Sequence, residues 1–459
     1  MENITIEACA AEGKALTHWN GVVVFVPFAV PGDVVDIRVT KKSKNYYEGF
    51  IERIVTPSKD RLEPFCQHFG VCGGCKWQPL PYPMQLEAKR QQVYDQLVRI
   101  GHLNVPGIRP TIPSDNIRYY RNKLEFTFSS KRWLLKDEDI DNVPANDRMG
   151  LGFHVGKFFD KVLDIKHCYL QKDPSNDIRL FVKKYAVKNG LDFFDIRQNV
   201  GYVRNMFIRT TDTGDLMVIM CFFYENREDR EKMLDAIAEA FPQITSLYYI
   251  INNKLNDSIG DQECILYKGE PTIRETMESL TFRIGPKSFY QTNSEQACKL
   301  YSVARDFAEL TGNEIVYDLY TGTGTIAQFV SGKAAKVVGI EYVPEAIEDA
   351  KVNAAGNGIT NCEFFAGDMK DVLSRDFIEE HGQPDVIILD PPRAGIHPDV
   401  AKVILEASPA RMVYVSCNPA SQARDLALFA DKYEITAVQP VDMFPHTQHV
   451  ENVCALRLR

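Results

Sequence analysis

The chain has 459 residues, 45% of them hydrophobic and 25% charged, with a net charge of −9. That length exceeds one compact core and predicts two to four domains, and the composition excludes a disordered chain. The acidic balance excludes polyanion binding through bulk charge, so any nucleic-acid contact must come from local patches.

Glu2, Glu7 and Glu12 occupy the start of the chain, with no apolar segment of the secretory kind. The run "VVVFVPFAV" from Val22 contains Pro27 and is too short to span a bilayer. Eleven scattered cysteines suit a reducing compartment. A cytoplasmic monomer with no membrane partner is expected.

Residues 1–58 read as short strands separated by Pro-Gly and Lys-rich turns, a small OB-like β-barrel. Its "RVTKKSKNYY" segment sets Lys41 and Lys42 beside aromatics that can stack on bases. Residues 59–110 combine a Cys- and Pro-rich loop with a helix, in which Leu86, Val93, Leu97 and Ile100 recur at helical spacing before Gly101. Residues 111–275 read as an α+β region, and "RYYRNKLEFTFSSKRW" (118–133) is a second basic-aromatic strip. From 276 to 459 short Val/Ile-rich strands alternate with helices, predicting a doubly wound, Rossmann-like parallel sheet. Ligands of such sheets bind at the carboxyl ends of the strands.

Those strand ends carry the motifs. "DLYTGTGTIAQF" places Gly322 and Gly324 in a strand-to-helix turn, and Glu341 ends the next strand 19 positions after Gly322, suited to ribose hydroxyls. A nicotinamide dinucleotide and S-adenosylmethionine both fit a glycine loop of this kind. Asp318 favours the second, since a carboxylate entering the loop repels a pyrophosphate and attracts a sulfonium. Asp368 closes "FFAGD", where it suits an adenine amino group.

"ILDPPRAG" ends the fourth strand and stiffens the loop around Asp390, whose ionised carboxylate accepts an N–H such as that of uracil N3. "YVSCNPAS" ends the fifth. Asn418 is a good helix cap and Pro419 suits the first helical position, so Cys417 is expected beside a helix N-terminus that favours its thiolate. A thiolate adding to carbon 6 of uracil makes carbon 5 nucleophilic towards a methyl donor. The carbon-5 proton must then leave, and Glu451, at the start of the last strand, is the candidate base.

Together "FYQTN", "DLYTGTGT", "DPPRAG", "VSCNPA" and "PHTQHVE" resemble the RNA 5-methyluridine methyltransferases, in particular the iron–sulfur enzymes acting on 23S ribosomal RNA. The resemblance spans nearly the whole chain. It implies an N-terminal TRAM barrel, a seven-stranded methyltransferase sheet, Cys417 as nucleophile, Glu451 as base and Asp390 as the carboxylate that recognises uracil. It also implies that Gln291, Tyr320, Glu341 and Asp368 line the pocket for S-adenosylmethionine and substrate, and that Arg121 in "YYRNKLEF" contacts RNA or the pocket. Many relatives have Asn at Thr325. Cys66, Cys72 and Cys75, with Cys168, match the thiolates that hold a [4Fe–4S] cluster in these enzymes; their spacing alone also allows zinc. A transfer-RNA methyltransferase of the same fold is the alternative. A nicotinamide oxidoreductase and a non-catalytic RNA-binding protein are the competing classes.

Overall fold

Six short strands open the chain in the computed structural model, which describes residues 1–135, 138–139, 141–156 and 158–459. They are β1 (Ile4–Thr5), β2 (Ala8–Cys9), β3 (Lys14–Trp19), β4 (Val22–Pro27), β5 (Val34–Lys42) and β6 (Tyr46–Thr56), in the order β1-β5-β6-β4-β3-β2. Alternate residues point inward, so Val24, Val26, Val35 and Ile37 make a small core. Register shifts in the β5–β6 pairing bend the sheet around it.

After the Cys-rich loop, α1 (Tyr82–Tyr94) runs into a π-helical turn, Asp95–Ile100, that ends at Gly101. The helix lies where its spacing predicts, but its buried face differs from the expected stripe. Gln85, Lys89 and Val93 are buried, whereas Ile100 is 65% exposed. Polar residues face inward because their partners lie in the C-terminal domain.

The middle region contains β7 (Lys123–Ser129), β8 (Gly150–His154), β9 (Val162–Asp164), α2 (Ser175–Lys188), β10 (Val203–Thr210), β11 (Leu216–Phe222), α3 (Arg227–Ala240), β12 (Ser246–Ile251) and β13 (Ile265–Gly269). Its seven strands run β13-β12-β11-β10-β7-β8-β9. Apolar residues of α2 and α3, such as Val182 and Leu234, share a core with Phe126, Met206 and Val218. Phe207, Met217 and Ile219 join the core of the C-terminal domain instead. The expected basic strip is divided by this sheet: Leu124 and residues 126–129 of β7 are buried, whereas Arg118 and Lys131 at its two ends are exposed and Arg121 and Lys123 are half-buried. The hairpin β14 (Ile273–Met277) and β15 (Leu280–Ile284) straddles the expected domain boundary.

The C-terminal domain follows with α4 (Ser294–Ala308), β16 (Ile315–Leu319), α5 (Thr325–Ser331), β17 (Lys336–Glu341), α6 (Pro344–Gly356), β18 (Cys362–Ala366), α7 (Met369–Val372) and α8 (Arg375–His381). It ends with β19 (Val386–Leu389), α9 (Pro398–Ala407), β20 (Arg411–Ser416), α10 (Pro419–Phe429), β21 (Tyr433–Val441) and β22 (Glu451–Leu458). The seven strands run β18-β17-β16-β19-β20-β22-β21, with β22 antiparallel to both neighbours. All four side chains of β19 are fully buried, each contributing about 1.5–3 kcal/mol by leaving water. Strand order reverses between β16 and β19, which opens a crevice at their carboxyl ends.

Candidate active site

Three reactive side chains meet at that end of the sheet because their strands are neighbours. Asp390 follows β19, Cys417 follows β20 and Glu451 begins β22. Ser416 pairs with Asn452, so the next positions, Cys417 and Glu451, also lie side by side across the antiparallel ladder. The Asp390 N–H donates to the Leu319 carbonyl at 3.3 Å, which holds the loop of the two prolines against β16.

Burial dominates the electrostatics here. It pushes the Asp390 carboxyl up to about 7, with the Asp318 carboxylate adding to the effect. Glu451 is raised well above the usual carboxyl range by burial and by Asp390. The Cys417 thiol is raised to about 11 by burial, Glu451 and Asp390, while Arg393 pulls the other way. This corrects the expectation of a thiolate favoured by the helix. Asn418 does cap α10, its Oδ1 accepting from the Ala420 N–H at 3.2 Å. Yet lost hydration and two acidic neighbours outweigh the roughly half charge of a helix terminus. The same burial keeps Asp390 protonated to higher pH than an ordinary aspartate, so its role as an acceptor calls for its ionised form.

The glycine turn is built by backbone conformations that most residues avoid. Tyr320, Gly322 and Gly324 have φ of 67°, 57° and 73°. A Cβ on Gly324 would meet the Phe364 ring at 2.8 Å, so this glycine lets α5 pack against β18. A Cβ on Gly322 would meet nothing within 4 Å, so this glycine borders open space. Glu341 braces the turn, its two oxygens accepting from the Gly322 and Val343 N–H groups, each at 3.1 Å. Thr325 is buried, with its hydroxyl 3.3 Å from that of Thr323.

Asp318 lies beneath this turn and is fully buried. Its Oδ2 accepts from the Thr321 hydroxyl at 2.5 Å and the Ala327 N–H at 2.9 Å, while Oδ1 has no partner. Burial raises it to about 7. A lone acceptor beside an open glycine face fits the cationic end of S-adenosylmethionine. Gln291 bonds the buried Tyr301 phenol, and its carbonyl accepts from Asn122 Nδ2 at 2.9 Å. Asp368 is committed locally: it caps α7, pairs with Lys370 at 3.1 Å and is held below its ordinary pKa by that bond.

The segment leading to Glu451 is held from outside its domain. Lys89 and Asp442 form a fully buried ion pair, and the Tyr82 hydroxyl donates to Asp442 at 2.8 Å. The Lys76 and Trp77 N–H groups donate to the His446 carbonyl at 2.8 and 3.0 Å. His446 itself has φ of 63°. These residues and Arg393 were not singled out from sequence. Arg393 stands in the quoted "DPPRAG" motif and was detectable there; Lys89 carries no signal, since its partner is 353 positions away.

Cys66, Cys72, Cys75 and Cys168 border one cavity of about 870 Å³ between the Cys-rich loop and the middle sheet. Burial raises the four thiols, Cys168 to about 12, and neighbouring thiols add to the shift at Cys72, Cys75 and Cys168. Among the described residues no three His, Cys, Asp or Glu side chains are grouped as a site for a metal ion. Lys41 and Lys42 are exposed on β5, their ammonium groups 5.3 and 5.8 Å from the Tyr46 and Tyr47 rings. Arg121 lies 5.8 Å over the Phe444 ring and donates to the Lys123 carbonyl.

Comparison with known proteins identifies the family and the fold. Residues 207–459 match the family model described as tRNA (Uracil-5-)-methyltransferase, and residues 2–51 match the TRAM domain. An uncharacterized RNA methyltransferase of Porphyromonas gingivalis is 58% identical, covering 97% of this chain and 98% of its own length. Another from Bacteroides thetaiotaomicron is 57% identical over 98% of this chain and 100% of its own length. Among solved structures, the Pyrococcus abyssi tRNA (uracil-54, C5)-methyltransferase in complex with S-adenosyl-L-homocysteine superposes with a TM-score of 0.76 at 28% identity. That alignment covers 99% of this chain and 100% of the other. With its TRAM domain, its seven-stranded methyltransferase sheet and these relatives, the chain belongs to the family of S-adenosylmethionine-dependent RNA (uracil-5-)-methyltransferases.

Proposed function

We propose that the protein methylates carbon 5 of a flipped-out uridine in 23S ribosomal RNA through a transient bond between Cys417 and carbon 6. The observation that carries this reading is the convergence of Cys417, Asp390 and Glu451 at one sheet end. S-adenosylmethionine would supply the methyl group, held by Gly322, Glu341, Gln291, Tyr320 and the free oxygen of Asp318. In its ionised form Asp390 accepts the N3–H of uracil, which cytosine lacks. Sulfur then bonds carbon 6 as the thiol proton leaves to water, with Arg393 favouring the thiolate. The displaced electron pair makes carbon 5 the nucleophile. After methylation Glu451, once ionised, removes the carbon-5 proton, the double bond re-forms and the carbon–sulfur bond breaks.

The base leaves its stack at a cost of a few kcal/mol, offset by RNA contacts elsewhere. Lys41, Lys42 and Arg121 are suited to supply them through phosphates. Cys66, Cys72, Cys75 and Cys168 would hold a [4Fe–4S] cluster that fastens the loop to the middle domain. The support is that all four thiols border one cavity; matching iron and sulfide contents, lost on substituting Cys72, would check it.

Transfer RNA is the second reading, favoured by the likeness to the Pyrococcus enzyme. Incubation with unmodified 23S fragments and with transfer RNA, followed by mapping of 5-methyluridine, separates the two. Label confined to transfer RNA overturns the ribosomal substrate. Glu451→Gln is expected to retain the covalent adduct and to slow turnover by about 10²- to 10⁴-fold, the usual worth of a general base.

A further inference from the structure

Outside the reaction pocket, Tyr119, His167 and Tyr169 form an aromatic cluster backed by Phe65. The His167 and Tyr169 rings are 4.5 Å apart at 65°, and Phe65 meets Tyr169 at 5.2 Å and 81°. Tyr119 completes the group, its hydroxyl 3.1 Å from His167 Nε2 and its ring 6.0 Å from that of Tyr169. None of the four belongs to a hydrophobic core, and all are partly exposed. Edge-to-face contacts of this kind leave ring faces open to a further flat partner.

Two further observations bear on this cluster. Tyr119 has φ of 56°, a left-handed conformation unusual for tyrosine, and its N–H is fixed to the Tyr169 carbonyl at 2.7 Å. Arg118 lies 3.9 Å over the Phe65 ring and has no carboxylate partner among the described residues, in a chain of net charge −9. The cluster also adjoins the catalytic segment. Phe65 packs on His446 at 5.0 Å, and the Tyr120 hydroxyl donates to the Pro445 carbonyl at 3.1 Å.

We infer that Tyr119, His167 and Tyr169, with Arg118 beside them, form a stacking subsite for an unpaired base next to the target uridine. This rests on the uridine-methylation reading. Flipping a uridine frees its neighbours from one stacking partner, and an aromatic platform between the cysteine cavity and the segment leading to Glu451 replaces that partner. Arg118, held over the Phe65 ring, presents its guanidinium to the phosphate of the same nucleotide.

The test uses the full-length enzyme and the RNA that it methylates. Tyr119→Leu and Tyr169→Leu are expected to raise the Kd for that RNA about 5- to 100-fold each, the range for loss of one base–aromatic stack. The slope of log Kd against log salt should stay as in the wild type, since stacking releases no counterions, whereas Arg118→Gln should lower it by about one. Tyr169→Phe should retain affinity. In the unaltered protein, RNA with 5-iodouridine beside the target should crosslink to Tyr119, His167 or Tyr169. Wild-type affinity in both leucine variants, a changed salt slope in them, or crosslinks elsewhere would overturn the subsite while leaving the methylation reading intact. Absence of 5-methyluridine from every RNA offered to the wild type would remove both.

Discussion

Arg393 is the cation that opposes burial at both Cys417 and Glu451, and its only described side-chain partner is His449 at 3.4 Å. The acids around it are raised, so each is protonated further into the neutral range than usual and becomes a competent base or nucleophile only as pH rises. The kcat/KM of the wild type should therefore climb from pH 6 to 9, with an inflection near 7 to which Asp390 and Asp318 both contribute. Arg393→Gln removes a favourable charge and should move the alkaline part of the climb up by about one pH unit. A flat profile, or a shift towards lower pH, would mean that these groups are ionised by something else. None of this was legible in "VSCNPA". A motif gives the order of residues, whereas a pKa is the sum of burial and every nearby charge.

The turn between β16 and α5 separates two uses of glycine. Gly324→Ala forces a Cβ into the Phe364 ring and should lower the melting temperature together with S-adenosylmethionine affinity. Gly322→Ala meets no protein atom, so its stability loss should be limited to the roughly 1–2 kcal/mol cost of the left-handed backbone. Its cofactor affinity should nonetheless fall at least tenfold by calorimetry. Equal behaviour of the two variants would place the cofactor elsewhere. The strands bearing these motifs were readable because a parallel strand buried on both faces needs a continuous apolar run. The basic strip at 118–133 was readable only in part, for the converse reason, since Arg118 and Lys131 are exposed while Phe126 and Phe128 are buried. Its alternation of charged and apolar residues describes a strand, and the sheet's other layer, remote in sequence, decides which residues see water. Asp368 and Lys370 show the same limit, since a turn carboxylate can be spent on its own helix.

Across the whole molecule, the segment carrying Glu451 is shared property. α1 supplies Lys89 and Gln85, the Cys-rich loop supplies two backbone N–H groups, and the barrel supplies the Gly13 carbonyl that accepts from Trp77 Nε1 at 3.2 Å. Lys89→Met would leave the Asp442 carboxylate buried without its countercharge, a loss of about 3–5 kcal/mol. Thermal unfolding should show it as a lowered melting temperature, with slower methylation while Cys417 can still form its adduct. An unchanged melting temperature would mean that the pair is not closed in solution. Such a contact between distant segments leaves no local trace, which is why the domain succession was legible and its fastening was not.

The most direct test of the central claim is covalent trapping. Substrate RNA with 5-fluorouridine at the target position cannot lose its carbon-5 substituent as a proton, so the enzyme should remain bonded to it through Cys417 in a complex stable to denaturing electrophoresis. The wild type should be trapped in the presence of S-adenosylmethionine, and Cys417→Ala should not be. Undiminished methylation by Cys417→Ala, or trapping through another residue, would contradict the account.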